Sequence, residues 1–251
     1  MTTYTVDTDV CLFDLDGTII TTIVAAEEAW TKLCNQYNVD SQELFKISHG
    51  TRTVEVLAKF FPMIDNTDNK GVHLLEADIA DNYLDTIGII PGAKELLFAL
   101  DKDPNDESID FNKEHKRKWA IVTSGSPYMA TSWFSTILKD IGKPDIFITA
   151  ENVSVGKPDP EGYRTARELL SKTWNYKSPC RSVVFEDAPV GIKAGKAMDA
   201  ITIGITSSYS KETLFEAGAD YVVPDLTHVT VIENSEKGHI VLQIKNPLLR
   251  D

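Results

Sequence analysis

Two aspartates one residue apart, Asp14 and Asp16, follow the apolar run VCLF and precede a turn at Gly17-Thr18. Carboxylates held this close repel, which raises one pKa and favours one acid beside one ionised partner, unless a cation is bound between them. The pair suits a nucleophile, a proton shuttle and a divalent metal. Three further polar clusters also follow apolar runs. Ala120-Ile121-Val122 leads into Thr123-Ser124-Gly125-Ser126, where hydroxyls and freed N–H groups at a helix start can hold phosphate oxygens or serve as ordinary helix caps. Gly156-Lys157-Pro158-Asp159-Pro160 offers a lysine on a stiff turn, able to neutralise a phosphate or a nucleophile, or simply to face water. Val183-Val184-Phe185 leads into Glu186-Asp187, a second carboxylate pair, whose plain alternative is capping of a helix beside Pro189. Each cluster alone is ambiguous. Four of them at the ends of successive buried strands point to one site, and oxygen-rich sites with several carboxylates select Mg2+, which keeps waters and binds substrate phosphate.

Such residues converge only if the strands that carry them lie side by side. An apolar run like VCLF fits a central parallel strand, and in open α/β sheets ligands gather where such strands end. Beyond Asp16 the β/α alternation is interrupted, and apolar residues at three- and four-residue spacing predict helices over 25–37, 51–61 and 68–84. From Ile89 the alternation resumes, with helices over 93–100, 128–138, 160–171 and 190–198. Strands are expected over 119–123, 146–150, 182–185, 201–205 and 221–223. The fold class is therefore α/β, a doubly wound parallel sheet, with a small α-helical insertion placed over the carboxylates as a lid. The expected division is a core of residues 1–22 and 88–251 and a helical cap of residues 23–87. The tail VTVIENSEKGHIVLQI reads as a hairpin added at an edge, without chemistry.

At 251 residues and 42% hydrophobic, the chain can bury one large core, or a core and a small accessory domain. No stretch reaches the ~18 apolar residues of a membrane span, and the start lacks the basic and apolar regions of a signal peptide, so the expected location is the cytoplasm. Cys11, Cys34 and Cys180 match neither a disulfide framework nor a zinc site and are expected to be reduced packing residues. A net charge of −13 repels nucleic acid and anionic membranes, so neither is an expected partner, and an anionic substrate needs local cations or a metal. The basic stretch 113–117 with Lys118 is read as a solvated loop. Asn152-Val153-Ser154 matches a glycosylation pattern, read as coincidence in a reduced protein.

In order and place, Asp14-Leu15-Asp16-Gly17-Thr18, Thr123-Ser124, Lys157 and Glu186-Asp187 resemble the motifs of the haloacid dehalogenase superfamily, over essentially the whole chain. Phe185-Glu186-Asp187-Ala188-Pro189-Val190-Gly191 is similar to its sugar-phosphate branch. Ser48-His49-Gly50-Thr51-Arg52-Thr53, Thr123-Ser124-Gly125-Ser126-Pro127 and Gly156-Lys157-Pro158-Asp159-Pro160-Glu161-Gly162-Tyr163 resemble the 2-deoxyglucose-6-phosphate phosphatases of yeast, and glycerol-phosphate phosphatases share most of these segments. The resemblance implies that Asp14 takes the phosphoryl group as an aspartyl phosphate, while Asp16 protonates the leaving alcohol and then activates water. It implies Mg2+ held by Asp14, the backbone carbonyl of Asp16 and Asp187, with Glu186 nearby. Ser124, Gly125 and Lys157 would bind the transferred group, and His49 and Arg52, in a short loop freed by Gly50, would reach the substrate when the lid closes. The expected partner is a small phosphomonoester, acted on by a monomer.

Rival readings differ in chemistry. Sugar phosphomutases of this superfamily carry a cap histidine 12 residues after the nucleophile, where this chain has Ala26. Dehalogenases and phosphonatases lack an acid at the Asp16 position. A catalytically silent binding protein has no need of Asp14, Asp16, Lys157 and Asp187 together. One departure from the family pattern is Asp199, where a glycine would serve a left-handed helix C-cap.

Overall fold

The computed structural model describes residues 2–101, 117–177, 179–235 and 239–250. The chain begins with β1 (Thr3–Thr8), β2 (Val10–Phe13) and β3 (Ile20–Thr21), then four helices, α1 (Ile23–Tyr37), α2 (Ser41–Ser48), α3 (Thr53–Phe60) and α4 (Lys70–Asn82). It continues through β4 (Gly88–Ile89), α5 (Ala93–Asp101), β5 (Trp119–Val122), α6 (Pro127–Ser135), β6 (Phe147–Ile148) and α7 (Glu161–Trp174). Next come β7 (Ser182–Glu186), α8 (Pro189–Lys196), β8 (Ile201–Ile205), α9 (Lys211–Glu216), β9 (Tyr221–Val223), β10 (Val229–Asn234) and β11 (Ile240–Lys245).

All four residues of β2 are buried, and a strand with nothing polar to turn outward is stable only in a sheet covered on both faces. β2 is the third strand of a six-stranded parallel sheet in the order β6-β5-β2-β7-β8-β9, which bears out the α/β expectation. Alternation along β2 divides the core. Cys11 and Phe13 join Trp119, Ile121 and Phe185 with Ala130 and Trp133 of α6, whereas Val10 and Leu12 join Val122 and Val184 with Tyr163, Ala166 and Leu170 of α7. Phe13 stacks on Phe185 with centroids 4.4 Å apart and meets Trp119 edge-on at 6.2 Å. Aromatic pairs of this kind add about 0.5–1.5 kcal/mol each beyond their buried area. Phe13 lies opposite both Ile121 and Phe185, so β5, β2 and β7 end at nearly one level, with Thr123, Asp14 and Glu186 at the rim.

Between β3 and β4, which pair as a short antiparallel ribbon, run the four helices α1 to α4. Their ends depart from the expected spans for local reasons. The helix expected at residue 51 begins at Thr53 because Gly50 has φ +79° and Arg52 is extended, and the one expected at residue 68 begins at Lys70 because Asp68 and Asn69 are left-handed. α2, which hydrophobic spacing did not predict, is started by Asp40, whose carboxylate accepts from the N–H groups of Gln42 and Glu43.

Two expectations are corrected. The C-terminal hairpin forms, but β11 pairs along all of β1, giving a separate antiparallel sheet in the order β1-β11-β10 rather than an added strand of the parallel sheet. Its buried Val6, Leu242 and Ile244 share the core with Leu96 and Leu97 of α5, which is why it docks there. Arg117 and Lys118 are not solvated: Arg117 donates to the carbonyls of Ile141 and Gly142 and pairs with Asp101 at 3.2 Å, and buried Lys118 bonds Asn234 and Ser235. Residues 113–116 lie outside the described residues. Asn152 spends its side-chain carbonyl on the N–H and hydroxyl of Thr149. Cys11, Cys34 and Cys180 are buried and free.

Asp199 follows α8 with φ +61°, so the position that invites glycine is left-handed and occupied by a residue with a Cβ. Asp199→Val is expected to lower stability by about 1–2 kcal/mol, because a branched side chain fits this region worst, while Asp199→Gly costs nothing. Urea midpoints of the two variants check this, and equal effects would show that backbone strain at residue 199 is unimportant.

Candidate active site

Asp14 leaves β2 at the rim, its N–H donating to the carbonyl of Phe185 at 3.0 Å, which fixes it beside the end of β7. Its carboxylate is 3% exposed at residue level and lies 2.6 Å from Nζ of Lys157. The same ammonium is 2.6 Å from Oε1 of Glu186, which also accepts from the hydroxyl of Tyr163 at 2.8 Å. The other oxygen of Glu186 accepts from the N–H groups of Asp187 and Ala188. Gly191 is essential to this fold-back, because a Cβ there would occupy the space of the Glu186 carboxylate. The loop carrying Lys157 is held by Glu161 at the start of α7, whose carboxylate accepts from the N–H groups of Ser154 and Val155.

Burial raises the Asp14 carboxyl well above its usual range, against the pull of Lys157. Burial works against the charged form of Lys157, but Asp14 and Glu186 outweigh it and keep the ammonium protonated. Asp187, pushed up to about 7 by burial and by Glu186, accepts from Ser208 Oγ and, at 3.4 Å, from Thr18 Oγ1. Gly17, with φ +97°, passes so close that any Cβ would strike the Asp187 carboxylate.

Asp16 turns away from this cluster. Thr123 Oγ1 donates to its Oδ2 at 3.1 Å, its Oδ1 is buried and unpaired, and burial pushes its pKa up to about 6. The two aspartates therefore differ in environment, one facing a lysine and two carboxylates, the other a threonine hydroxyl, as different protonation states require.

Carboxylate oxygens of Asp14, Glu186 and Asp187 lie within 4.8 Å of one another, all buried, and Asp14 Oδ2 has no hydrogen-bond partner. Three buried carboxylates share one ammonium, which leaves negative charge uncompensated. An all-oxygen donor set with excess negative charge fits a hard divalent cation. Glu186 is saturated by Lys157, Tyr163 and two N–H groups, so Asp14 and Asp187 are the better-placed ligands.

Of the other candidates, Ser124 stands at the rim, but its Oγ donates to the carbonyl of Gly50 at 2.7 Å. Gly125 is beside it, with its N–H on Thr123 Oγ1 at 3.0 Å. A pocket joins Asp14, Asp16, Thr123, Ser124 and Gly125 to Ile23, Ala26 and Trp30 of α1 and to Ser48, His49 and Gly50. His49 is thus brought to the site, held by Glu27 Oε1 at 3.3 Å from its Nε2. Arg52 is not in that pocket. It lines a smaller hollow beside Lys157, paired with Glu55 and donating to the carbonyls of Val153 and Ser154.

Several participants escaped the sequence reading. Tyr163 is visible in the sequence only as the last residue of a matched segment, with no sign of its partner, and Ser208 not at all, since each bonds a carboxylate remote in sequence. Glu76 of α4 is buried and accepts from Thr53 Oγ1 and from the N–H of Ser126, which caps α6. A glutamate on the apolar face of a predicted helix was the available clue. Glu27 of α1 holds His49.

A family model described as haloacid dehalogenase-like hydrolase matches residues 8–199. The chain is 63% identical to 2-deoxyglucose-6-phosphate phosphatase 2 of Saccharomyces cerevisiae, over 97% of this chain and 98% of that protein. It is 39% identical to glycerol-1-phosphate phosphohydrolase 1 of the same yeast, over 92% and 88%. Among solved structures, a hydrolase from Pseudomonas syringae superposes with a TM-score of 0.64 at 25% identity, covering 87% of this chain and 94% of the other. A family model that spans most of the chain, joined to relatives of this similarity, means that the chain belongs to the haloacid dehalogenase-like hydrolases.

Proposed function

We propose that this chain is a Mg2+-dependent phosphomonoesterase that hydrolyses small sugar or polyol phosphates, of the 2-deoxyglucose-6-phosphate type, through an aspartyl-phosphate intermediate. The observation that carries the reading is the asymmetry of the two aspartates, Asp14 among metal-competent carboxylates and Lys157, Asp16 apart on Thr123. Relatives named as 2-deoxyglucose-6-phosphate phosphatases and glycerol-1-phosphate phosphohydrolases support the substrate class.

In this mechanism an Asp14 oxygen forms a bond to phosphorus as the bond to the leaving oxygen breaks, and the Asp16 acid gives that oxygen its proton. Asp16, now ionised, takes a proton from water as the water attacks phosphorus, releasing phosphate and restoring the Asp14 carboxylate. Lys157, with Ser124 and Gly125 at the rim, stabilises charge on the transferred group. Asp14, Asp187 and the backbone carbonyl of Asp16, with Glu186 behind them, would hold a divalent cation, which would neutralise charge on the phosphoryl oxygens. Ala26, which lines the pocket where mutases of the family carry a histidine, has no proton to move, and this favours hydrolysis over phosphoryl transfer to a second sugar.

Residues 23–87 act in this reading as a cap domain on a core of residues 1–22 and 88–251. The free, buried cysteines support a reducing, cytoplasmic setting. Arg52 serves as a tie between the start of α3 and the Lys157 loop.

Asp14→Asn is expected to release no phosphate above background from p-nitrophenyl phosphate; clear turnover by a clean preparation would remove Asp14 from the nucleophile role. Treatment with EDTA should abolish activity and added Mg2+ restore it, and full activity in chelator would end the metal reading. Arg52→Ala should lower kcat/KM by a similar factor for every member of a phosphomonoester panel, whereas selective losses would place the guanidinium against the sugar.

A further inference from the structure

Glu76 of α4 is a carboxylate that the proposed reaction does not use, although it is 1% exposed and lies where the helical insertion meets the core. Both of its oxygens accept from uncharged donors, Oε1 from the Thr53 hydroxyl at 2.5 Å and Oε2 from the N–H of Ser126 at 2.8 Å. A carboxylate loses its hydration on burial, and only donors held in place make the position tolerable. Ser126 is the N-cap of α6 and closes the loop Thr123-Ser124-Gly125-Ser126, so Glu76 grips that loop from the insertion side.

The grip falls on one peptide unit. The Gly125 carbonyl accepts from the N–H of Ala150 at 3.0 Å while the Ser126 N–H donates to Glu76, so the rigid plane that joins them is pinned at both of its polar groups. The preceding N–H, that of Gly125, is thereby aimed at Thr123 Oγ1, 3.0 Å away. With its oxygen accepting from Gly125, the Thr123 hydroxyl turns its hydrogen on Asp16 Oδ2 at 3.1 Å, and Asp16 Oδ1 is left buried without a hydrogen-bond partner. In a protonated carboxyl the carbonyl oxygen is the better acceptor, so the bond from Thr123 leaves the acid's proton on Oδ1.

We propose that Glu76 is a positioning residue for Asp16, acting through the Gly125–Ser126 peptide and the Thr123 hydroxyl to hold the carboxyl in the orientation in which Oδ1 carries the proton. The proposal rests on the phosphomonoesterase reading. In that reaction the proton passes from Oδ1 to the leaving oxygen as its bond to phosphorus breaks. A displaced Thr123 lets the carboxyl turn, and a misdirected acid matters most where the leaving oxygen depends most on its proton.

The test compares kcat/KM for phenyl phosphate and p-nitrophenyl phosphate, which are similar in shape and lack sugar hydroxyls but differ in how far the leaving oxygen needs protonation. In Glu76→Ala the ratio of phenyl to p-nitrophenyl phosphate is expected to fall about tenfold, a part of what a well-placed general acid supplies. Thr123→Val, which removes the hydroxyl at the far end of the relay, is expected to lower the ratio by the same factor, and the double variant no further, because groups acting in one chain are not additive. Glu76→Gln is expected to keep the ratio, since its amide oxygen accepts from Ser126 while its amide nitrogen donates to Thr53 Oγ1. Equal losses for the two substrates in Glu76→Ala reduce Glu76 to a structural tie and overturn the proposal. An unchanged ratio in Thr123→Val overturns it too, as does an about tenfold fall in Glu76→Gln, and both hold even if Glu76→Ala does not fold. Additive falls in the double variant place Glu76 outside the relay and likewise overturn it. If the unaltered protein hydrolyses neither aryl phosphate nor 2-deoxyglucose 6-phosphate, it is the phosphomonoesterase reading that fails.

Discussion

Lys157 lies between Asp14 and Glu186, 2.6 Å from each, with all three groups buried. Taking such charges out of water costs several kcal/mol per ion, and removing one partner of a buried pair is typically worse than never having had the pair. The arrangement is tolerable only because each partner is fixed by something else. Glu186 is locked by Tyr163 and two backbone N–H groups, Asp14 by its N–H on Phe185, and Lys157 by a loop that Glu161 anchors to α7. A compensated but immobile ammonium is also what a transferring phosphoryl group requires, since its stabilising charge must be in place before the reaction begins. In the proposed reaction the stability problem and the catalytic one have the same solution, and both depend on three parallel strands ending at one level.

That common level explains how much of the site could be read without a structure. Asp14, Thr123 and Glu186 each follow a fully buried run, and period-independent apolar runs of four or five residues leave few options but adjacent central strands. Once the strands are adjacent, the polar residues at their ends converge. Residues whose function depends on side chains crossing between elements were not legible in this way. Tyr163 looks like one apolar residue of α7, Ser208 like a loop hydroxyl, and Glu76 like a polar intrusion on α4. What distinguishes them is a partner 21 to 50 residues away. The separate sheet of β1, β10 and β11 escaped for a related reason, since its decisive pairing joins the two ends of the chain.

The helical insertion shows the opposite balance. Its helices were visible as periodic stretches, but their ends depend on single backbone conformations at Gly50, Asp68 and Asn69, and those ends decide which residues reach the pocket. Gly50 approaches so closely to Ala188 that no side chain would fit, and its carbonyl receives the hydroxyl of Ser124. The turn that releases α2 into α3 is thus itself in contact with the core. This places Ser48 and His49 on the pocket side and sends Arg52 toward the Lys157 loop, although the three are near neighbours in sequence.

Contacts across this junction have an energetic consequence for specificity. Ser124 to Gly50, Arg52 to Val153 and Glu76 to Ser126 all hold insertion against core through groups that are neutralised or satisfied in the process. Hydrogen bonds of this kind contribute only about 0.5–1.5 kcal/mol each in net terms, somewhat more where a charge takes part. Their sum is in the range over which a bound ligand can shift an equilibrium between an open and a closed site. In the proposed reaction, rigid, overdetermined strand ends fix the chemistry, while the helical insertion is held over the pocket above Asp14 by a junction of modest hydrogen bonds.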